Sequence, residues 1–259
     1  MTANYTLKED IRDYWSRRSL TFDLAFGHRI PPGPELEAWG DAVTRALGDR
    51  PLSVLELACG TGEVSNVLMS RGHRVTALDF SEAMLSVARA KHAGRDQVRF
   101  ILADAENTME PDGLYDAVVC RHLVWTLTRP EEAFADWFRV LKPGGRLLVF
   151  DGDWANPTRL GRLAGMTIKI IDRLKGEDPH YDGAMGDRHR SIMSRLPFGH
   201  GLTAGELAAL LRRTGFVGLD IASHAPIAAA QRRTADLRNC LRTLLYRRFI
   251  LSCRKPDAG

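Results

Sequence analysis

The segment Leu52-Ser-Val-Leu-Glu-Leu57 runs directly into Ala58-Cys59-Gly60-Thr61-Gly62, and a helical pattern begins at Glu63. An apolar run that ends in paired glycines at a helix start constrains the chain to a strand–turn–helix unit. Gly60 and Gly62 remove Cβ atoms where backbone has to approach a ligand closely. The helix start behind them offers unpaired N–H groups and a positive dipole end, so a carboxylate docks there as well as a phosphate. A GxG alone is weak, although Gly60-Thr-Gly-Glu-Val-Ser65 approaches the dinucleotide fingerprint with Ser in place of the third glycine.

The rest of the chain repeats this alternation. Strands are predicted at 52–57, 74–79, 98–102, 117–120, 146–150, 217–223 and 249–253. Helices are predicted at 63–71, from a Ser81 cap to His92, at 130–141, from the Thr203-Ala-Gly-Glu206 capping box to Thr214, and around 235–246. Pro143-Gly144-Gly145 is expected to stop the third of these. Strands alternating with helices predict an α/β fold: a Rossmann-like, doubly wound, mostly parallel seven-stranded sheet with an antiparallel last strand.

Two further helices precede the sheet, at 7–18 with Leu7, Ile11 and Tyr14 or Trp15 on one face, and one carrying Leu36, Trp39, Val43 and Leu47. A Gly- and Pro-rich loop separates them. Residues 1–50 therefore read as an N-terminal helical cap, and 51–259 as the Rossmann-like domain. Within it, 152–201 break the rhythm as an insertion lying over the sheet. Leu160, Leu163, Thr167, Ile171 and Leu174 form one helical stripe there, followed by a polar loop with Pro179, Gly183 and Gly186.

No apolar run is long enough to span a bilayer, and Met1–Asp10 has no apolar core of a secretory signal, so a cytoplasmic chain is expected. Cys59, Cys120, Cys240 and Cys253 are scattered without a CxxC pair, which argues against a zinc site or a disulfide framework and for buried thiols. Net charge is only +4, with cations concentrated at Arg232, Arg233, Arg238, Arg242, Arg247, Arg248, Arg254 and Lys255. That stretch reads as a solvated face rather than a nucleic-acid surface, because no aromatic residues interleave it in the manner of base-stacking platforms.

Asp79 ends the second strand and Asp104 follows the third. Both fall at carboxyl ends of strands, where open α/β sheets bind ligands. An acid at the first position accepts hydrogen bonds from ribose hydroxyls, and one at the second from an adenine amino group. Here the chain resembles class I S-adenosylmethionine-dependent methyltransferases, most closely their quinone and small-metabolite branch. Leu55-Glu-Leu-Ala-Cys-Gly-Thr-Gly62 looks like the first motif and Ala77-Leu-Asp-Phe-Ser-Glu-Ala-Met84 like the second-strand motif. Ala103-Asp-Ala-Glu106, Tyr115-Asp-Ala-Val-Val119 and Leu141-Lys-Pro-Gly-Gly145 look like later ones. The resemblance covers roughly 50–152 closely and the final strands loosely.

The resemblance implies roles at the matching positions. Glu56 would orient the turn and the methionine amino group through water. Ala58, Cys59, Gly60 and Gly62 would line the methionine portion. Asp79 would hold the ribose, with Phe80 and Met84 against the adenine. Asp104 and Ala105 would bracket the adenine edge, and Cys120 and Arg121 would lie near the methionine end. Ala58 stands where many members have glycine, which is harmless if its φ is negative.

Methyl transfer from a sulfonium is an in-line displacement, so the protein mainly aligns the reactants and excludes water. A general base is needed only where the acceptor has to lose a proton. The catalytic candidates are His122 and Tyr14. His122, followed by Trp125, reads as a base or acceptor-orienting group, against the plainer reading of a loop histidine bonded to backbone. Tyr14 lies on an N-terminal helix that in related enzymes closes over the cofactor. It is a candidate for the methionine carboxylate, or with Trp15 it anchors the helix, beside Arg17 and Arg18. His180, Tyr181, His189, Arg190 and His200 match no metal-ligand spacing and read as solvated loop residues, with Arg188 and Arg195 weakly favouring an anionic acceptor.

The expected function is therefore methyl transfer from S-adenosylmethionine to a small-molecule acceptor, with S-adenosylhomocysteine as product and no metal. Competing readings are an RNA or protein methyltransferase landing on the basic C-terminal stretch, and a non-catalytic cofactor-binding protein. A nicotinamide-dependent oxidoreductase ranks last, since it gives no reason for Asp104 or for Lys142-Pro-Gly-Gly145.

Overall fold

Along β1 (Ser53–Leu57) and β4 (Tyr115–Arg121) successive buried side chains enter two different cores. Val54, Ala117 and Val119 join one; Leu55, Leu57, Val118 and Cys120 join the other. Runs apolar on both faces belong to central strands covered by helices on each side. The computed structural model describes residues 6–176 and 183–258, and within these the chain builds that arrangement. The sheet of the described residues has seven strands in the order β3-β2-β1-β4-β5-β7-β6. The others are β2 (Arg74–Asp79), β3 (Val98–Leu102), β5 (Leu141–Pro157), β6 (Val217–Ser223) and β7 (Tyr246–Arg254). β3, β2, β1, β4 and β5 run parallel, and β7 is antiparallel to both β5 and β6.

Helices α1 (Leu7–Arg18) and α2 (Pro34–Leu47) precede the sheet, and α3 (Glu63–Ser70), α4 (Glu82–Lys91) and α5 (Pro130–Val140) link its parallel strands. Trp39, Val43 and Leu47 of α2 enter one core, with Val67 and Leu68 of α3. Phe134 and Trp137 of α5 enter the other, with Leu207 and Leu211 of α8 (Ala204–Thr214). Ser81 caps α4 as predicted, accepting from Met84 N–H; at α8 Thr203 accepts from Glu206 N–H, the Thr203 half of the expected capping box.

Several segments differ from the sequence reading, each for a local reason. Lys142-Pro-Gly-Gly145 is a bulge inside β5 rather than a break before it. Leu141 pairs with Tyr115 and Arg146 with Ala117, so the intervening residues bow out opposite Asp116. Lys142 Nζ then reaches Asp116 Oδ1 at 2.8 Å. The segment read as a polar loop contains α7 (Gly183–Met193), whose Ile192 and Met193 are buried. His180 and Tyr181 lie outside the described residues. α9 (Ala225–Arg232) was not foreseen, and the run expected around 235–246 shortens to α10 (Leu237–Arg242).

The stripe on α6 (Arg159–Lys175) is turned the other way from its expected roofing role. Leu160, Leu163 and Leu174 are exposed, whereas Gly161, Ala164 and Ile168 are buried. A Cβ on Gly161 would collide with the Leu245 carbonyl, so the small-residue face is the one that packs.

The turn after β1 holds three residues in left-handed backbone: Ala58 (φ +49), Gly60 (φ +56) and Gly62 (φ +82). Ala58 thus departs from the negative φ that would have made it harmless. Its Cβ carries a left-handed cost of about 1–2 kcal/mol, against the about 0.4–1 kcal/mol that glycine loses through unfolded-chain entropy. Ala58→Gly is therefore expected to raise stability by about 0.5–1 kcal/mol in urea unfolding, and a lower midpoint would contradict strain at this residue.

Candidate active site

A cavity of about 1070 Å³ lies over the carboxyl ends of the parallel strands, large enough for a cofactor and an acceptor together. Its floor includes Ala58 and Gly60 from the first turn, Asp79 and Phe80 from the end of β2, and Arg121 and His122 from the end of β4. Met84, Asp104 and Ala105 also line it, so these nine expected residues converge with Tyr14 on one space.

Asp79 ties two turns together. Its Oδ2 accepts Gly60 N–H at 2.9 Å and its Oδ1 accepts Ser81 N–H at 2.9 Å. Burial pushes the carboxyl up to about 6, opposed by these N–H bonds. Phe80 N–H adds a third such bond, and Asp79 also lines the cavity; a carboxylate has about four acceptor positions, so these bonds leave it some capacity for a further donor. A Cβ on Gly60 would sit 3.9 Å from Phe22 Cε1, both residues lining the cavity, and would narrow the space above the turn.

Glu56, Cys59, Gly62 and Cys120 do not line the cavity. Glu56 is buried beneath the turn and accepts from Ser65 Oγ at 2.5 Å; burial lifts its carboxyl to about 8 against that bond. Cys59 and Cys120 are core thiols raised well above their ordinary range by burial. Gly62 is small for a packing reason: a Cβ there would meet His92 Nε2 at 2.8 Å, and its carbonyl already bonds that nitrogen at 2.9 Å.

The roof comes from α1, α7 and the loop between α1 and α2. Lys8 Nζ reaches Asp104 Oδ2 and Glu106 Oε2, each at 2.6 Å, so Asp104 is already paired where an adenine amino group was expected. Asp13 binds Arg188 at 2.8 Å and Asp10 binds Arg195 at 2.7 Å, which spends both cations on joining α7 and the turn after it to α1. Arg18 donates to Tyr14 Oη at 3.0 Å. Sequence reasoning passed over Lys8, and it read the Gly- and Pro-rich loop as a connection. That loop supplies Phe22, Phe26 and His28 to the cavity. Arg121 donates to the Gly27 and His28 carbonyls and lies over Trp39 at 4.8 Å. Thr61 Oγ1 donates to Asp23 at 2.6 Å. Three aromatic side chains in so short a loop were the available signal.

Beyond the turn the walls are aromatic: Tyr14, Trp15, Trp125, Trp154, Tyr246 and His189. His189 packs against both Tyr14 and Trp125 and is not a solvated loop residue, whereas His200 is exposed near Glu206. Asp151, unremarked in the sequence, positions this wall by accepting from Val124 N–H, Gly152 N–H and Trp154 Nε1, each at 2.9 Å. His122 has φ +54 and meets Trp154 edge-on at 4.7 Å. Burial, then Arg121 and Arg248, hold its imidazole well below the ordinary histidine range, so it is neutral at pH 7. Trp125 Nε1 is buried without a hydrogen-bond partner among the described residues.

The C-terminal cations do not assemble one surface. Arg238 pairs with Asp172 and Arg254 with Asp257, Lys255 bonds the Leu141 carbonyl, and Arg242 and Arg248 line the cavity.

Fold and cavity together define a Rossmann-type domain with its ligand site at the strand ends. Residues 55–149 match the family described as methyltransferase domain. A demethylmenaquinone methyltransferase from Clavibacter sepedonicus is 40% identical over 117 residues, 44% of this chain and 46% of that one. A ubiquinone/menaquinone biosynthesis C-methyltransferase from Methylobacterium nodulans is 31% identical over 194 residues, 69% of this chain and 72% of that one. The chain spans about half the length of other curated relatives it matches, such as 56% of a Thermus thermophilus demethylmenaquinone methyltransferase. In structure, a geranyl diphosphate C-methyltransferase from Streptomyces coelicolor superposes with a TM-score of 0.63 at 16% identity, over 97% of this chain and 99% of that one. The chain belongs to this methyltransferase family.

Glu56 offers a test of the buried turn. A carboxyl raised on folding binds its proton more tightly in the native state, so it costs no stability below the unfolded carboxylate range and progressively more as pH climbs toward 8. Glu56→Gln keeps an acceptor for Ser65 and removes this titration. The stability advantage of the variant over the parent is expected to grow between about pH 5 and pH 8 in urea melts; a difference independent of pH would contradict the raised carboxyl.

Proposed function

We propose that the chain is an S-adenosylmethionine-dependent methyltransferase acting on a small molecule with a planar or apolar body. The carrying observation is the joined cavity, in which the bridged Asp79 and bare Gly60 face one end and an aromatic chamber forms the other. Bound there, S-adenosylmethionine supplies an activated sulfonium methyl whose transfer leaves S-adenosylhomocysteine.

The residues of the chain do the rest. Asp79 offers its remaining acceptor capacity to the ribose. Phe80, Met84 and Ala105 supply apolar contact for the adenine, and Asp104, with Lys8 on its other side, marks the adenine edge. Tyr14 and Arg18 stand at the roof, where a methionine carboxylate finds donors. Trp15, Trp125 and Trp154 orient a flat acceptor and exclude water. Trp125 Nε1 gains a partner if the acceptor presents an oxygen. Neutral His122, with a low proton affinity, suits hydrogen bonding to the acceptor better than proton removal. Quinone-type rings, named among the relatives, fall within this class. The dispersed C-terminal cations favour it over an RNA or protein acceptor.

Asp79→Ala is expected to raise the dissociation constant for S-adenosylhomocysteine by more than about tenfold in calorimetry, because hydrogen bonds to a charged group contribute about 1.5–3 kcal/mol. An unchanged constant would remove Asp79 from the cofactor site. For His122, the parent's rate is expected to show no inflection between about pH 6 and pH 8 that His122→Ala abolishes. Finding such an inflection would make His122 a base.

A further inference from the structure

We infer that α6 is a docking face for an anionic lipid bilayer, lying in the membrane surface beside the cavity. Five large apolar side chains of this helix point outward: Leu160, Leu163, Met166, Ile170 and Leu174 are 66%, 58%, 56%, 55% and 81% exposed. At the pitch of an α-helix they fall within an arc of roughly 120°. A contiguous exposed apolar stripe of this kind marks an interaction surface, whereas scattered exposed leucines do not. The opposite face, with Gly161, Ala164 and Ile168, is the one that packs on the protein.

Charge selects the occupant. Arg162, Lys169 and Arg173 run along one edge of the stripe and Arg159 stands at its start, all exposed. The one acid of the helix, Asp172, is paired with Arg238 at 3.2 Å. An apolar stripe edged by cations matches the boundary between acyl chains and anionic headgroups. A second copy on a two-fold axis would set the same cations against themselves, with no free acid on the helix to receive them.

The position also matters. Leu245 lines the cavity, and its carbonyl and side chain lie where a Cβ on the buried Gly161 or the half-buried Gly165 would sit. A bilayer under α6 therefore lies on the far side of this helix from Leu245, with the helix between the membrane and the cavity wall. The docking face itself does not depend on methyl transfer, because vesicle binding is read without cofactor or acceptor.

The full chain is floated with phosphatidylcholine vesicles containing about one-third phosphatidylglycerol, and with pure phosphatidylcholine vesicles. Binding is expected to the anionic vesicles, to weaken with salt, and to fall at least about tenfold in the Leu163→Ser, Ile170→Ser double variant. Arg162→Glu with Lys169→Glu is expected to abolish the preference for phosphatidylglycerol. Thermal unfolding and S-adenosylhomocysteine binding should be unchanged in both variants, since neither touches the cavity. Failure of the parent to float, or flotation indifferent to both variants, would overturn the assignment. So would a parent dimer in sedimentation that the Leu163→Ser, Ile170→Ser variant dissociates, since a second copy would then cover the face.

Discussion

The Asp79 carboxylate holding Gly60 N–H and Ser81 N–H is the contact on which the site depends. It fastens the turn after β1 to the turn after β2, at the sheet edge where both strands stop. A buried carboxylate is costly unless hydrogen-bonded, and these two N–H groups offset that cost while leaving acceptor capacity facing the cavity. The turn reaches Asp79 through left-handed backbone at Ala58 and Gly60. Beneath it, Glu56 and Ser65 brace the helix start, and behind it Gly62 admits His92. Strand, turn and carboxylate thus form one device, with packing residues on its hidden side and ligand-facing residues on its open side.

The roof is held differently. It buries Ile11, Tyr14, Ala25, Ile30, Ile192 and Met193, and the ion pairs of Lys8, Asp10 and Asp13 add to that packing. Partly exposed ion pairs contribute little each. Apolar packing therefore holds the roof, as it holds the sheet, whose strands lie between two cores. A packed roof over the strand ends suits a reaction that needs alignment and exclusion of water more than acid–base groups.

Most of the sheet was legible because short apolar, β-branched runs alternating with capped helices leave few alternatives; β2 and β3 begin and end where the pattern places them. Part of the ligand end was legible for the same reason, since Asp79 and Asp104 are read by where strands stop, whereas Arg121 came only through the resemblance. What escaped is what depends on tertiary partners. Lys8 is an ordinary helix-surface lysine until Asp104 and Glu106 lie opposite it. Asp151 is one residue past the predicted strand until Trp154 folds back to it. The stripe on α6 was visible, but periodicity names a face without saying whether protein covers it. The glycines of that helix packed inward and left the stripe outside. Backbone sign at Ala58 was equally beyond the sequence.

The central claim is that one cavity grips an adenosyl sulfonium between the bridged carboxylate and the aromatic chamber. A crystal structure of the full chain grown with S-adenosylhomocysteine tests it most directly. The account predicts both ribose hydroxyls on Asp79, the base between Met84 and Ala105, and the sulfur turned toward Trp125 and His122. Density for the nucleoside elsewhere, or none at saturating ligand with the cavity open, would contradict it.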